Sequence, residues 1–304
     1  MITLNFFLFR LIPGDPLAML SKELVSDPEV RATIEQAYGL DKPLYIQFVN
    51  YLKSMVTFDF GTSFQYRQPV WPILKEKIRN SMVLGVSSVP IGIAMGLFGG
   101  ILAGSRRGKR LDLVLTSSTM LLYAVPTFWL GMIFLMIFGV RLGWVPFNGM
   151  VTAGARFPST WAYVKDVMWH LAVPVASYAL AIFGGYFMIM RGAMVDVYGE
   201  DYVLTARAKG LTERQVRNRH VVPNAMLPSI NMIIMSLAFM FTGTFSIEVL
   251  FTWPGMGRLM VDSVTRRDYP VLQASNYLVA LVVVAASFLL DILYTYIDPR
   301  VKLE

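Results

Sequence analysis

Five stretches of this chain are each long and apolar enough to cross a lipid bilayer, and that limits the possible folds more than any motif does. A helix crosses the hydrocarbon core with about 20 largely apolar residues. Asn80–Gly104, Val114–Val140, Met168–Met190, Met226–Leu250 and Val271–Ile297 all meet that length. Inside hydrocarbon the backbone must satisfy its own N–H and C=O groups, and helices do so within a single segment. The expected class is therefore an all-α polytopic membrane protein. Composition agrees: 55% of the 304 residues are hydrophobic and 15% are charged, where a soluble domain carries about 25% charged.

Met1–Leu11 is apolar but too short to span. It is expected to be the end of a first span that starts before Met1, so residues 1–12 read as a remnant helix. No basic leader or small-residue cleavage site accompanies it, so it does not resemble a signal peptide. Residues 13–79 form the next unit, and 80–304 a core of five spans.

Orientation follows the Lys and Arg residues near span ends. The short basic turn Ser105–Arg110 is expected in the cytoplasm. Alternation then puts 191–223 and the C-terminus inside, and 13–79, 141–167 and 251–270 outside. Arg266 and Arg267 go against this trend. Within 13–79 the segment Ile46–Val56 reads as an amphipathic helix, so an ordered outer cap is expected. The formal net charge of +7 is accounted for by inside loops, and nucleic acid is not an expected partner.

Pro90, Gly92, Gly96, Pro126, Gly131, Pro174, Gly184 and Gly185 fall inside the apolar segments. Neighbouring helices tolerate such residues and use the small ones for close approach. The chain has no Cys and two His, which leaves no thiolate metal site and little basis for a His cluster. No Gly-x4-Gly-Lys-Ser/Thr loop occurs. The nearest run fails because Ala103 stands at the first Gly position and Arg110 at the Ser/Thr position. No metal-dependent hydrolase motif or catalytic triad pattern is present, so the chain is not expected to be an enzyme.

One polar insert interrupts the apolar pattern: Thr205–Pro223, with Arg207, Lys209, Arg214, Arg217 and Arg219. Glu200 and Asp201 lead a helical stretch through Tyr202, Thr205 and Ala206 to Arg207 and Lys209, an order that suits the helix dipole. Gly210 can adopt the left-handed conformation that ends a helix. After Leu211, the run Thr212-Glu213-Arg214-Gln215 fits a capping box for a second helix. That helix runs toward Pro223, and a residue before proline is pushed out of helix. Two short helices around a glycine elbow are therefore expected. Pattern alone leaves two uses open: a basic segment adsorbed on anionic lipid, or a shaped docking element for a soluble partner.

This insert resembles the cytoplasmic loop of ABC-importer permeases, which reads Glu-Ala-Ala, three residues, Gly, and later Pro. Thr205 and Ala206 stand where the two Ala would be, and Gly210 and Pro223 match. Leu204 replaces the Glu, as in the peptide/nickel branch. Further segments resemble that dipeptide/oligopeptide branch in order: Arg10–Pro16, Asp59–Ser63, Ser105–Asp112, Val125–Gly131, Leu142–Gly149, Phe251–Leu259, Arg267–Pro270 and Ile297–Arg300. The chain is most similar to the first permease of the pair.

The resemblance implies a type I importer fold with about six transmembrane helices in a bacterial or archaeal cell membrane. It also implies a second homologous permease, two ATP-binding subunits that hold ATP and Mg, and an extracytoplasmic substrate-binding protein. Residues 191–223 would be the loop that couples to the ATPases. Di- or oligopeptides are the expected substrates, with nickel chelates or oligosaccharides as alternatives. A secondary transporter driven by an ion gradient is a further reading, but no internal repeat supports it.

A peptide needs a wet, polar path that binds weakly. Thr116, Ser117 and Thr119 on one span, with Ser118 beside them, are candidates to line it. On another span the candidates are Asn231, Ser236, Thr242 and Glu248. Hydrogen bonding between packed helices is the competing use of every one of them. Asp291 is expected to pair with Arg300 or Lys302 or with a partner subunit, and His170 to sit at an interface.

Overall fold

Hydropathy marks only the part of each helix that meets lipid, and the two longest helices run well past it. The computed structural model describes residues 2–11, 32, 41–241 and 244–297. Regular structure among them is helical, apart from one bridge between Thr62 and Pro69. Helix α1 covers Ile2–Leu11, α2 Leu44–Thr57 and α3 Val70–Gly104. Helix α3 has 35 residues, so it is about 52 Å long at 1.5 Å per residue, well beyond a hydrocarbon core of about 30 Å. Helix α4 spans Arg110–Tyr123, and α5 runs from Thr127 through a π-helical end to Arg141. Helix α6 covers Thr160–Tyr198.

Among the described residues three helices are long and apolar enough to span alone: α3, α6 and the last, Tyr269–Ile297. The segment expected as one span over Val114–Val140 is instead two helices, α4 and α5, meeting at 94°. Pro126 causes this. It sits in extended conformation at φ −56°, ψ 136° just before α5, where its ring pushes the preceding residue out of helix. Pro90 and Pro174, by contrast, lie inside the continuous helices α3 and α6. The expected span Met226–Leu250 is likewise divided. Its continuous helix ends at Phe239, and another turn of helix covers Phe245–Leu250. Residues 242 and 243 between them lie outside the described residues.

The bundle is organised around α3 and α6, which pack along most of their lengths. Gly92, Gly96, Gly100 and Gly104 repeat every four residues on the α3 face that meets α6. A Cβ on Gly96 would lie 2.5 Å from the Tyr186 Cβ, and one on Gly100 would lie 2.7 Å from the Met190 Cβ. At Gly104 the Met194 Cβ would be 2.6 Å away. Between membrane helices, association depends on packing rather than on hydrophobic exclusion, so this ridge is what lets the two backbones touch. Gly131 does the same against Leu250, and Gly184 against Tyr123.

At one end of the bundle a separate core gathers Phe6, Tyr51, Met55, Phe60, Val70, Leu74, Met256, Leu259 and Val271. The amphipathic segment expected near Ile46–Val56 is α2, and its buried residues Tyr51 and Met55 belong to this core.

Candidate functional site

The polar insert folds as a knuckle at the opposite end of the bundle. Helix α7 covers Asp201–Ala208. Gly210 follows at φ +80°, a left-handed conformation that costs a β-branched residue about 1–2 kcal/mol. Helix α8 begins at Glu213 with the capping box intact. Thr212 Oγ1 accepts from Gln215 N at 3.4 Å, and Gln215 Oε1 accepts from Thr212 N at 2.9 Å. The expected break before Pro223 does not occur. The chain widens into a π-helical turn over Arg217–Val221 and continues as helix over Val222–Ala225, with Pro223 in its first turn. Helix α9, Leu227–Phe239, follows after a bend of 52°.

The two faces of the knuckle differ. Val203, Ala206, Val216, Val221 and Ala225 are buried and pack with Met190 and Met194 of α6. Those two methionines are the residues seated over Gly100 and Gly104. Contacts therefore run without a gap from the knuckle through α6 to α3. The outward face carries Tyr202, Leu204, Thr205, Lys209 and Arg214, all exposed, with Leu204 at 66% exposure. Arg207 braces the elbow internally. Its Nε donates to Glu213 Oε1 at 2.8 Å, and its guanidinium lies 5.7 Å from the Tyr198 ring centre. This hydrogen bond holds the Glu213 carboxyl below the usual carboxylate range, against a weaker upward push from desolvation.

A second clasp joins α4 to α6. Arg191 Nε and Nη2 donate to the two carboxylate oxygens of Asp112 at 2.6 and 2.8 Å. Gly108 N and Thr116 Oγ1 donate to the same carboxylate. Thr116 Oγ1 thus bonds within α4's own first turns.

Glu248 makes a third clasp. It lies on Phe245–Leu250 (α10) and is fully buried. Its carboxylate accepts from Gly257 N at 2.7 Å and Arg258 N at 3.2 Å, the first-turn amides of α11, Met256–Thr265. Ser81 Oγ donates to it at 2.7 Å and accepts from Met256 N at 2.8 Å. Two helices therefore supply the cap that α11 lacks on its own. A Cβ on Gly255 would lie 2.5 Å from the Ser81 Oγ, so that glycine is needed for the approach. Trp253 completes the assembly: Nε1 donates to Asn80 O at 2.8 Å, and Asn80 Nδ2 donates to Pro254 O at 3.0 Å.

The remaining candidates divide by exposure. Ser117 and Asn231 are exposed. Thr119 is buried, and Ser236 accepts a hydrogen bond from Tyr186 Oη at 2.7 Å. Thr242, Arg300 and Lys302 lie outside the described residues. His170 donates from Nδ1 to the Asp166 carbonyl at 2.8 Å.

Several motifs separated in sequence meet in space. Asp268 accepts hydrogen bonds from Ser63 Oγ and from Phe64 N and Gln65 N, the latter two at 3.2 Å. Gly149 N donates to Phe251 O at 2.8 Å. No group of three or more His, Cys, Asp or Glu residues that could hold a metal occurs among the described residues.

These features are those of a permease, and comparison with known families agrees. Residues 96–303 match the family described as binding-protein-dependent transport system inner membrane component, and residues 1–85 match the N-terminal family of that membrane component. The chain belongs to this family of type I ABC-importer permeases, and is the membrane subunit of such an importer rather than a catalytic one. It is 34% identical over 300 residues to the oligopeptide transport system permease protein AppB of Bacillus subtilis, covering 98% of this chain and 93% of the relative. It is 33% identical over 315 residues to the dipeptide transport system permease protein DppB of Escherichia coli K12, with the same coverage. The glutathione transport system permease protein GsiC of Salmonella typhi is 35% identical over 299 residues, at 98% and 92% coverage.

Proposed function

We propose that this chain forms half of the translocation pathway of an ATP-driven importer for small peptides, and that its knuckle receives the motion of the ATPase subunits. The observation that supports this most is the two-faced packing of 201–225. Its apolar feet are buried on Met190 and Met194, and its outer face leaves Tyr202, Leu204, Lys209 and Arg214 unburied. A rigid projection with an uncovered face suits a surface that is pushed. Leu204 gives the contact an apolar centre where the wider family has a carboxylate.

In this reading 191–223 lies in the cytoplasm and 13–79 outside, within a bacterial or archaeal inner membrane. Residues 1–12 belong to a first span, and 80–304 form the core. A second, similar permease completes the pathway. Two ATP-binding subunits hold ATP and Mg, and an external binding protein delivers the solute. ATP binding closes the ATPase pair, the knuckle transmits the movement to α6 and α3, and the spans open on the other side. Ser117 and Asn231 are the exposed polar candidates for the wall. The peptide assignment draws on relatives that carry oligopeptides, dipeptides and glutathione.

The test is uptake of a labelled dipeptide and a labelled pentapeptide by proteoliposomes holding the whole importer. Accumulation should need ATP inside the ATPase compartment and the binding protein on the other side. Lys209→Glu with Arg214→Glu should stop the ATPase from co-purifying. Uptake that runs without ATP and follows a proton gradient would refute the proposal.

A further inference from the structure

A cleft of about 310 Å³ opens between the α3–α4 turn and the knuckle. Arg106, Arg107 and Lys109 line it from the turn, and Tyr198, Arg207 and Glu213 from the knuckle side. Gly104 and Gly199 form part of its wall. Four cations thus face one carboxylate, and Arg207 already holds that carboxylate. Asp112, the acid nearest the turn in sequence, is held by Arg191 and Gly108. Arg106, Arg107 and Lys109 make no ion pair among the described residues. The turn's backbone amides are satisfied locally, since Arg106 N, Lys109 N and Gly108 N donate to Ala103, Arg106 and Asp112. Recognition would therefore fall to the side chains, and guanidinium groups favour phosphate oxygens.

The setting points to the source of the phosphate. The turn joins helices α3 and α4, and in the orientation proposed above it lies at the membrane surface. Leu113 and Val114, just past it, are 68% and 59% exposed, which provides an apolar track beside a basic hollow. Basic pockets between membrane helices at this depth suit anionic headgroups. We propose that this cleft binds the phosphate of an anionic phospholipid, with its acyl chains along Leu113 and Val114. Both the depth of the cleft and its leaflet rest on the orientation proposed above. A bound lipid would tie the α3–α4 turn to the coupling knuckle.

The test uses the full chain in its importer, in nanodiscs of phosphatidylcholine with a minor share of phosphatidylglycerol, and counts retained phosphatidylglycerol by native mass spectrometry. Arg106→Gln/Arg107→Gln/Lys109→Gln should weaken retention by about fivefold per charge, on the order of a hundredfold in all. Arg141→Gln/Arg156→Gln/Lys165→Gln removes the same charge elsewhere and should leave retention unchanged. Equal loss in both triples would overturn the site. Inorganic phosphate that displaces the lipid at about millimolar concentration, in the range of weak anion binding, would assign the cleft to free phosphate and overturn the lipid assignment. A photoactivatable phosphatidylglycerol on the unmodified protein gives a readout free of folding effects. Adducts on peptides holding 105–114 and 198–207 support the site, and adducts only elsewhere overturn it. Repeating the count on permeases without ATPase separates this outcome from any failure of ATPase docking.

Discussion

The two ends of the bundle both carry a short helix entered through a glycine, and they use their charges in opposite ways. At the cap end, Glu248 is fully buried and spends its lone pairs on the first turn of α11, with Ser81 beside it. At the knuckle end, charges stand outside and the apolar residues are inside: Val203, Ala206 and Val216 anchor, while Lys209 and Arg214 face outward. Polarity alone therefore does not mark the working surface. A buried carboxyl group that is bonded on several sides holds helices together, and an exposed charge on a rigid base is available to a partner.

That contrast can be broken at graded points. The largest effect is expected from Gly100→Val, which leaves both ends intact but separates α6 from α3. Its side chain would meet Met190 and the Phe187 carbonyl at 2.7 and 2.8 Å, and backbone cannot yield as a flexible side chain does. A loss of about 3 kcal/mol or more is expected, read as thermal unfolding in detergent. Glu248→Ala should cost about 3 kcal/mol by orphaning buried amides, with Glu248→Gln costing about half as much. Neither change should alter ATPase docking before the protein unfolds. If Glu248→Gln kept full stability but abolished peptide uptake, Glu248 would be a pathway group after all.

Gly210→Val should cost only about 1–2 kcal/mol, yet it should uncouple ATP hydrolysis from uptake by tilting the elbow. Normal uptake would count against the elbow's role. The smallest effect belongs to the Arg207–Glu213 pair, whose side chains are 39% and 70% exposed. Arg207→Ala should change stability by less than about 1 kcal/mol because solvent screens the pair. Glu213 is depressed when folded, so the pair's contribution is complete above the ordinary glutamate range. It fades as pH falls through that range, below about pH 4.3, and a pH series of unfolding temperatures on wild type and Glu213→Gln would show the difference closing on acidification.

Legibility in the sequence followed local rules. The elbow at Gly210 and the capping box at Thr212 depend on neighbours within four residues, so both could be read from the chain. The helix break at Pro126 is equally local, but an apolar run conceals it, because hydropathy does not register backbone direction. The π-helical turn that carries the chain past Arg217–Val221 has no residue signature of its own. Glu248 required knowledge that Ser81 and Gly257, far apart in sequence, would converge on it. Gly100 and Gly104 extend the spacing of Gly92 and Gly96, so the four-residue repeat was available in the sequence, while its partner Tyr186-Met190-Met194 was not. Ser117 and Asn231 kept their place as wall candidates only because the structure leaves them exposed.

The central claim is that the knuckle's outer face meets the ATPase. The most direct measurement places a photocrosslinking amino acid at Leu204 and, separately, at Trp161, both strongly exposed, in the assembled importer. The account predicts a crosslink from position 204 to the ATP-binding subunit that changes in yield when ATP is bound, and none from position 161. A crosslink to that subunit from 161, or none from 204 in a complex that hydrolyses ATP and transports, would contradict it.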